Sequence, residues 1–298
     1  MDKIKNLFHK IRYLLEALVV RFGLFLFSAI GLKNASNFAS SLSRLIGKRI
    51  AVHNLAKTNI ERSLPNLNPS QIEKILDDMW DNLGRIVGEF FYVSRFTGKE
   101  LLTYVDLDEE SKQNIDYIKQ NFKGGIIFSG HIGNWEIGPK IFLENGIDVK
   151  TVYRPLNNVL VDDMTAKIRG IELISKSTKG NKQIINEIKN GNYVIILADQ
   201  KISDGIWVPF FNRPALTTSS IAKLALKYNV PIIPARSIRV GKEFKFLVKV
   251  EKPIEFKKTE IISDDSILNL TTKINQKLEE WIKEYPSQWF WVHNRWKK

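Results

Sequence analysis

The sequence predicts an α/β fold: a single α/β sandwich with a largely parallel central sheet flanked by helices, and a hydrophobic helix ahead of it. Three observations carry that prediction. Short apolar runs recur between about residues 125 and 250 and read as buried strands. Segments of helical periodicity fill the gaps, and strand–helix alternation favours a parallel sheet. A near-continuous apolar stretch, Tyr13 to Leu32, stands before all of these.

That first stretch has the length of a bilayer-spanning helix, about 20 residues. Glu16 and Arg21 interrupt it, and a charge at the centre of a span costs roughly 2.5–3.5 kcal/mol. The uninterrupted piece, Phe22 to Leu32, is too short to cross. Basic residues flank both sides: Lys3, Lys5, Lys10 and Arg12 before it, and Lys33, Arg44, Lys48 and Arg49 after it. Charge asymmetry therefore sets no orientation. An interfacial or shallow re-entrant helix, with Arg21 snorkelling to headgroups, is the expectation. A buried first helix would select the same residue types. No small-residue cleavage site follows the run, so a cleaved signal is not expected.

The next strong element runs from Pro69 to about Phe96. Ile72, Ile75, Leu76, Met79, Leu83, Ile86 and Val87 recur at helical spacing. Asn68 is the expected N-cap, with Pro69 at the first helical position. Strands are predicted at Ile126–Phe128, Val149–Tyr153, Tyr193–Ala198 and Pro231–Arg236. Phe244–Val250 alternates and reads as an edge or antiparallel strand. Helices are predicted at about 135–146, 161–170, 181–190, 215–229 and 262–284. No repeat or linker is evident. The expected division is an N-terminal membrane-associated helical segment, 1–50, and one α/β domain, 51–298.

Composition narrows the chemistry. The chain has no cysteine, which excludes disulfides, zinc-thiolate sites and a cysteine nucleophile. With four histidines a metal site is not indicated, and no cofactor is called for. The net charge of +13 suits an anionic membrane surface or an acidic partner. No nucleic-acid-binding signature accompanies it.

The most informative stretch is Phe128-Ser129-Gly130-His131-Ile132-Gly133-Asn134-Trp135-Glu136, at the end of a predicted strand. Five residues of ideal helix turn about 500°, so His131 and Glu136 cannot share a face of one helix. If they cooperate, His131 sits at the strand end or in a turn and Glu136 on the first turn of the next helix. An imidazole held by a carboxylate takes a proton from a hydroxyl near neutral pH. In parallel sheets the site lies at the carboxyl ends of the strands. Arg154, Asp199 and Arg236 follow three further predicted strands, so a base, an acid and two arginines converge. Two acids compete to orient His131: Glu136, which the motif favours, and Asp199, by its strand-end position. Ser129 lacks the context of a nucleophile elbow.

The chain resembles the bacterial lipid A late acyltransferases, the lauroyl/myristoyl transferase family. The likeness covers nearly the whole length. It lies in the His131–Glu136 box, Tyr153-Arg154-Pro155, Arg169, Ile196-Leu197-Ala198-Asp199-Gln200, Val208-Pro209-Phe210-Phe211 with Pro214-Ala215, and Gln288 to Trp296. Asn212, Ser219, Ser220 and Lys201 depart from the family pattern. The resemblance implies transfer of a fatty acyl chain from acyl carrier protein to a hydroxyl of a lipid A precursor, at the cytoplasmic face of the bacterial inner membrane. It implies His131 as base, without an acyl-enzyme. The precursor is a phosphorylated glucosamine disaccharide, and Arg154, Arg169, Arg236, His293 and Arg295 are the candidates to hold its phosphates, with Asn134 beside the reacting atoms. Acyl carrier protein is acidic, so the basic chain would steer it. Trp207, Phe210 and Phe211 are candidates for an acyl groove. Trp281, Trp289, Trp291 and Trp296 suit either a membrane interface or a core cap. Two other readings stand beside this one. One is acylation of another glycolipid or phospholipid from acyl-CoA, and the other is a non-catalytic lipid-binding module.

Overall fold

The computed structural model describes residues 2–202, 204–257 and 261–296. Helix α1 (Asp2–Ile30) and α2 (Leu32–Gly47) meet at Gly31, whose φ of +81° breaks the run. Helix α3 (Val52–Ser63) leads to α4 (Pro69–Arg95). As expected, Asn68 caps α4 over Pro69, with Gln71 completing a reciprocal capping box. Small residues let α2 and α4 approach closely. Gly84 and Gly88 of α4 face Ala35, Ala39 and Ser40 of α2, and a Cβ at either glycine would overlap the backbone of α2.

A short α5 (Gly98–Leu101) and β1 (Val105–Leu107) then enter the α/β body. The body continues as α6 (Glu109–Asn121), β2 (Gly125–Ser129), α7 (Gly138–Glu144), β3 (Val149–Tyr153), α8 (Val159–Arg169), β4 (Leu173–Ser175), α9 (Thr178–Lys189) and β5 (Tyr193–Leu197). A hairpin follows, β6 (Ile206–Phe210) and β7 (Arg213–Thr217), then α10 (Ser220–Tyr228), β8 (Ile232–Arg239), β9 (Phe246–Val250) and α11 (Asp264–Glu284). The seven-stranded sheet has the order β1-β9-β8-β2-β5-β3-β4. Strands β8, β2, β5, β3 and β4 run parallel, while β9 lies antiparallel to β8 and carries β1 parallel to itself.

The mostly parallel sheet expected from the sequence is therefore present, with β9 as the antiparallel member. Successive strand residues alternate between two cores. Ile126, Phe128, Val194, Ile196 and Ile232 belong to the core containing α10, α11 and the C-terminal tryptophans. Ile127, Ile195 and Ile233 belong to the core under α6 and α7.

Three expectations change. The helix expected over 215–229 begins at Ser220, and Arg213–Thr217 is instead β7. Strand β8 continues to Arg239, so Arg236 lies inside it rather than beyond its end. Trp281, Trp289 and Trp291 are fully buried, so they form core and not an interfacial belt. The tight turn of the hairpin is Phe211–Asn212, with φ of +51° and +55°. Asn212 occupies a left-handed position that asparagine tolerates.

Candidate active site

The site is built by strand register. Strands β2 and β5 are parallel neighbours, with Ser129 level with Leu197. Two residues beyond each, His131 and Asp199 therefore lie side by side at the carboxyl edge of the sheet. His131 Nδ1 is 2.8 Å from Asp199 Oδ1, and the His131 backbone N–H donates to Asp199 Oδ2 at 2.7 Å. Trp289 Nε1 donates to the same Oδ2 at 2.8 Å. The tail is fixed against the loop by the Ile132–Trp289 bridge and by Phe290 N donating to the His131 carbonyl.

Asp199 is fully buried. Burial alone would raise its pKa, but the neighbouring His131 and the hydrogen bonds prevail and hold the carboxyl well below its usual range. The carboxylate stays ionised and fixes Nδ1 as the protonated nitrogen, which leaves Nε2 as the acceptor. Nε2 looks toward Gln200 Nε2 at 3.1 Å, and that amide also lies 3.4 Å from His293 Nε2. Burial pushes His293 down to about 4, so it is neutral near pH 7. The Trp135 ring stands edge-on to His131 at 4.8 Å between centroids.

Glu136 goes elsewhere. Gly133 adopts φ +57° in a close approach where a Cβ would overlap the Ser237 carbonyl. The chain then turns, and Glu136 sits in that turn before α7 rather than on its first turn. Its carboxylate grips Arg169 bidentately, with Nε to Oε2 and Nη2 to Oε1 both at 2.9 Å. The carboxylate touching the imidazole is thus Asp199, and the motif acid instead positions an arginine. Arg169, Arg154, Lys176 and Gln200 line a cavity of about 170 Å³ with His131, Trp135 and Glu136. Arg154 is exposed at its mouth.

The remaining expected residues separate from this cluster. Asn134 is fully buried, donates to Glu89 Oε2 and accepts from the Glu136 amide, so it braces the loop. Arg236 is held by Glu251 at 2.9 Å and Glu284 at 2.6 Å over the Trp281 ring, away from the cavity. Arg295 is fully buried, stacked 4.0 Å from the Phe210 ring centroid and donating to Thr217 and Asn275. Burial lowers its pKa to about 10. Phe210 and Phe211 pack among Trp289, Trp291 and Trp296 in the core, while Trp207 is partly exposed on β6. Neither buried arginine is open to a phosphate, and the Phe pair is enclosed on its aromatic faces.

Sequence reasoning singled out neither Gln200, Trp289 nor Lys176 as site residues. Gln200 was within reach, standing next to Asp199 at a strand end. Trp289 was not, because its partner lies 90 positions away.

The chain matches the family description of bacterial lipid A biosynthesis acyltransferases over residues 1–298. It belongs to that family. No curated protein matches the chain. Family membership supplies a lipid A precursor as substrate and an acyl donor. In this acyltransferase His131 shares a cavity with the cationic side chains of Arg154, Arg169 and Lys176.

Proposed function

We propose that this acyltransferase moves a fatty acyl chain from the thioester of acyl carrier protein to a hydroxyl of a lipid A precursor, at the cytoplasmic face of the inner membrane. The observation that carries the reading is the His131 imidazole, bonded through Nδ1 to buried Asp199, with the Gln200 amide at its Nε2 and Arg154 and Arg169 lining the same cavity. The acceptor hydroxyl gives its proton to Nε2 as its oxygen attacks the thioester carbonyl. The resulting imidazolium is stabilised by Asp199, the part an acid plays in a catalytic triad. The tetrahedral intermediate collapses with cleavage of the C–S bond. The departing thiolate takes the proton back from His131, leaving ester and free thiol. No acyl-enzyme forms.

Gln200 yields Nε2 to the acceptor hydroxyl and can then donate to the developing oxyanion. Arg169, locked by Glu136, and the exposed Arg154 hold phosphate on the acceptor. The charge of +13 favours an acidic carrier protein as donor over a small thioester. Helix α1 supports the location: Leu7–Ile30 spans 24 residues with mean hydropathy 1.9 and none of it buried.

The test is transfer from acyl carrier protein thioester to a tetra-acylated lipid A precursor in detergent, read by mass spectrometry. Wild type should add one acyl mass, and folded His131→Ala should add none. Faster transfer from acyl-CoA than from the carrier protein would overturn the donor assignment. Absence of transfer from either donor, with precursor still bound, would favour a lipid-binding module.

A further inference from the structure

We propose that the loop after β3 and the first turn of α8 form an apolar lip that enters the bilayer beside α1, so that a lipid acceptor reaches the His131 cavity sideways and keeps its acyl chains in the membrane. The proposal rests on the acyl-transfer reading for the identity of that lipid. Leu156, Val159 and Leu160 are 48 %, 66 % and 46 % exposed. Helix α8 is 11 residues long and buries none of them. Apolar side chains grouped in this way on an exposed element call for a neighbour other than water.

Hydrogen bonds fix the lip in place. Asp162 Oδ1 accepts from the Leu156 amide at 2.8 Å, and Oδ2 accepts from the Tyr153 hydroxyl at 3.3 Å. Buried Asn158 ties the lip to α1. Its Oδ1 accepts from the Leu160 and Val161 amides at the start of α8. Its Nδ2 donates to the Tyr13 carbonyl at 2.8 Å and to Glu16 Oε2 at 2.9 Å. One side chain therefore caps α8 and docks it on the apolar helix. Ile11, Leu14 and Leu18 of α1 flank that junction and are about half exposed, so the apolar surface of α1 continues onto α8.

Two observations make lipid the occupant. Leu156 also lines the cavity that holds His131, Arg154 and Arg169, so lip and site share a mouth. A membrane lipid with an anionic headgroup matches both parts, with its chains against the three apolar residues and its headgroup at the arginines. A protein partner with an acidic face would suit the arginines but not the lip. The second observation is size. The cavity holds about 170 Å³, below the roughly 300–1,000 Å³ of pockets that engulf a drug-sized molecule. It can take the part of a lipid that bears the reacting hydroxyl. The acyl chains must stay outside, where the lip meets them.

The chain has no cysteine, so a single introduced one carries a label without interference. Full-length protein with bimane on Leu160→Cys, Leu18→Cys or Lys227→Cys is bound to vesicles of phosphatidylethanolamine and phosphatidylglycerol whose acyl chains carry a nitroxide. Lys227 is exposed at the end of α10, ahead of β8 and so at the opposite edge of the sheet. The lip label should be quenched as strongly as the α1 label, and the label on Lys227→Cys should not be quenched. Quenching at Leu18→Cys alone, or at neither, overturns the lip. A blue-shifted but unquenched lip label would mean that protein covers it, and overturns the proposal as well. This arm needs no turnover, so it decides the lip even if wild type transfers no acyl group. A kinetic arm tests the route of entry. With precursor embedded in the vesicles, Val159→Ser with Leu160→Ser should raise acceptor KM about 10-fold, because two apolar contacts with lipid are lost. Donor KM should not change, and α1 should keep the variant on the vesicles in flotation. An unchanged acceptor KM overturns entry over the lip.

Discussion

At the scale of single residues, Asp199 contacts His131 while Glu136 contacts Arg169, and kinetics should separate the roles proposed for the two acids. Asp199→Asn removes the charge and the tautomer control at Nδ1, so kcat should fall by roughly 10³–10⁴ with little change in KM. Glu136→Gln releases Arg169, so acceptor KM should rise about 10-fold, the cost of a charge-assisted bond, while kcat changes less. The reverse pattern, measured by initial rates at saturating donor, would return the orienting role to Glu136. His293 gives a pH prediction. Its folded pKa of about 4 lies below the ordinary 6.5, so the unfolded chain binds its proton first as pH falls. Stability should therefore decline between about pH 6.5 and 4, by roughly 2–3 kcal/mol. Asp199 has a depressed pKa, so its contribution is kept above the ordinary carboxylate range and lost only below it. Melting at pH 7.5 and 5 should show a clear drop for wild type and a flatter response for His293→Gln. Sequence spacing favoured Glu136 because it is near His131 along the chain. The positive φ of Gly133 and the β2–β5 register, both invisible in a linear motif, bring Asp199 and not Glu136 against the imidazole.

At the scale of elements, the loop after β2 is tied to the N-terminal helices by a buried polar network. Arg239 of β8 clasps Glu89 of α4 with both Nη atoms, at 2.8 and 2.7 Å. Glu89 also accepts from Ser36 of α2 and from Asn134 of the loop. Arg239 Nε donates to Asn82, whose amide donates to the Gly133 carbonyl. Removing one partner of such a pair strands a buried charge, so Glu89→Ala should cost about 3–5 kcal/mol. The double change Glu89→Met with Arg239→Met should regain part of that stability, because no charge is left unpaired. A double variant no more stable than Glu89→Ala in urea unfolding would show that the pair is more than self-compensating. None of this network was legible in the sequence, because Glu89 and Arg239 stand 150 positions apart and only the fold brings them together. The parallel strands were legible, because burial on both faces leaves an uninterrupted apolar run. The β6–β7 hairpin was not. Pro209 and Pro214 sit opposite each other in it and break the strand signal, and its turn is Phe211–Asn212 rather than a glycine pair. Arg236 was misplaced because an arginine after an apolar run looks like a strand end. Its pairing with Glu251 and Glu284 lets the strand continue through it.

At the scale of the whole molecule, the unusual feature is apolar surface turned outward. Leu7, Ile11, Leu14, Leu18, Phe22 and Phe25 form an exposed stripe along α1, and Phe38, Leu42, Leu45 and Ile46 continue it on α2. Val159 and Leu160 add exposed apolar surface on α8, which touches α1. The inner sides of these helices are fixed to the body. Tyr92 donates to the Phe27 carbonyl, and Asn158 donates to the Tyr13 carbonyl and to Glu16. Glu16, which the sequence counts as a penalty inside the apolar stretch, is thus turned toward protein and toward Arg12. A water-soluble surface rarely keeps so extended an apolar face, so lipid is the expected neighbour. From sequence alone a bilayer and a core select the same residues, and only the docking of α1 on α4 and α8 defines which side faces out. Each large apolar side chain withdrawn from water gains about 1.5–3 kcal/mol. Replacing Leu14, Leu18 and Phe22 by Ser should therefore lower the vesicle-bound fraction by at least about 10-fold in flotation assays. Vesicles with anionic lipid should retain more of the variant than neutral ones, since lysines and arginines near the surface contribute about 1 kcal/mol each. None of these positions touches the His131 cavity, so transfer in detergent should stay within about 2-fold of wild type. Unchanged flotation with all three apolar residues removed would mean that α1 is not the lipid-facing element and that its stripe is covered by protein.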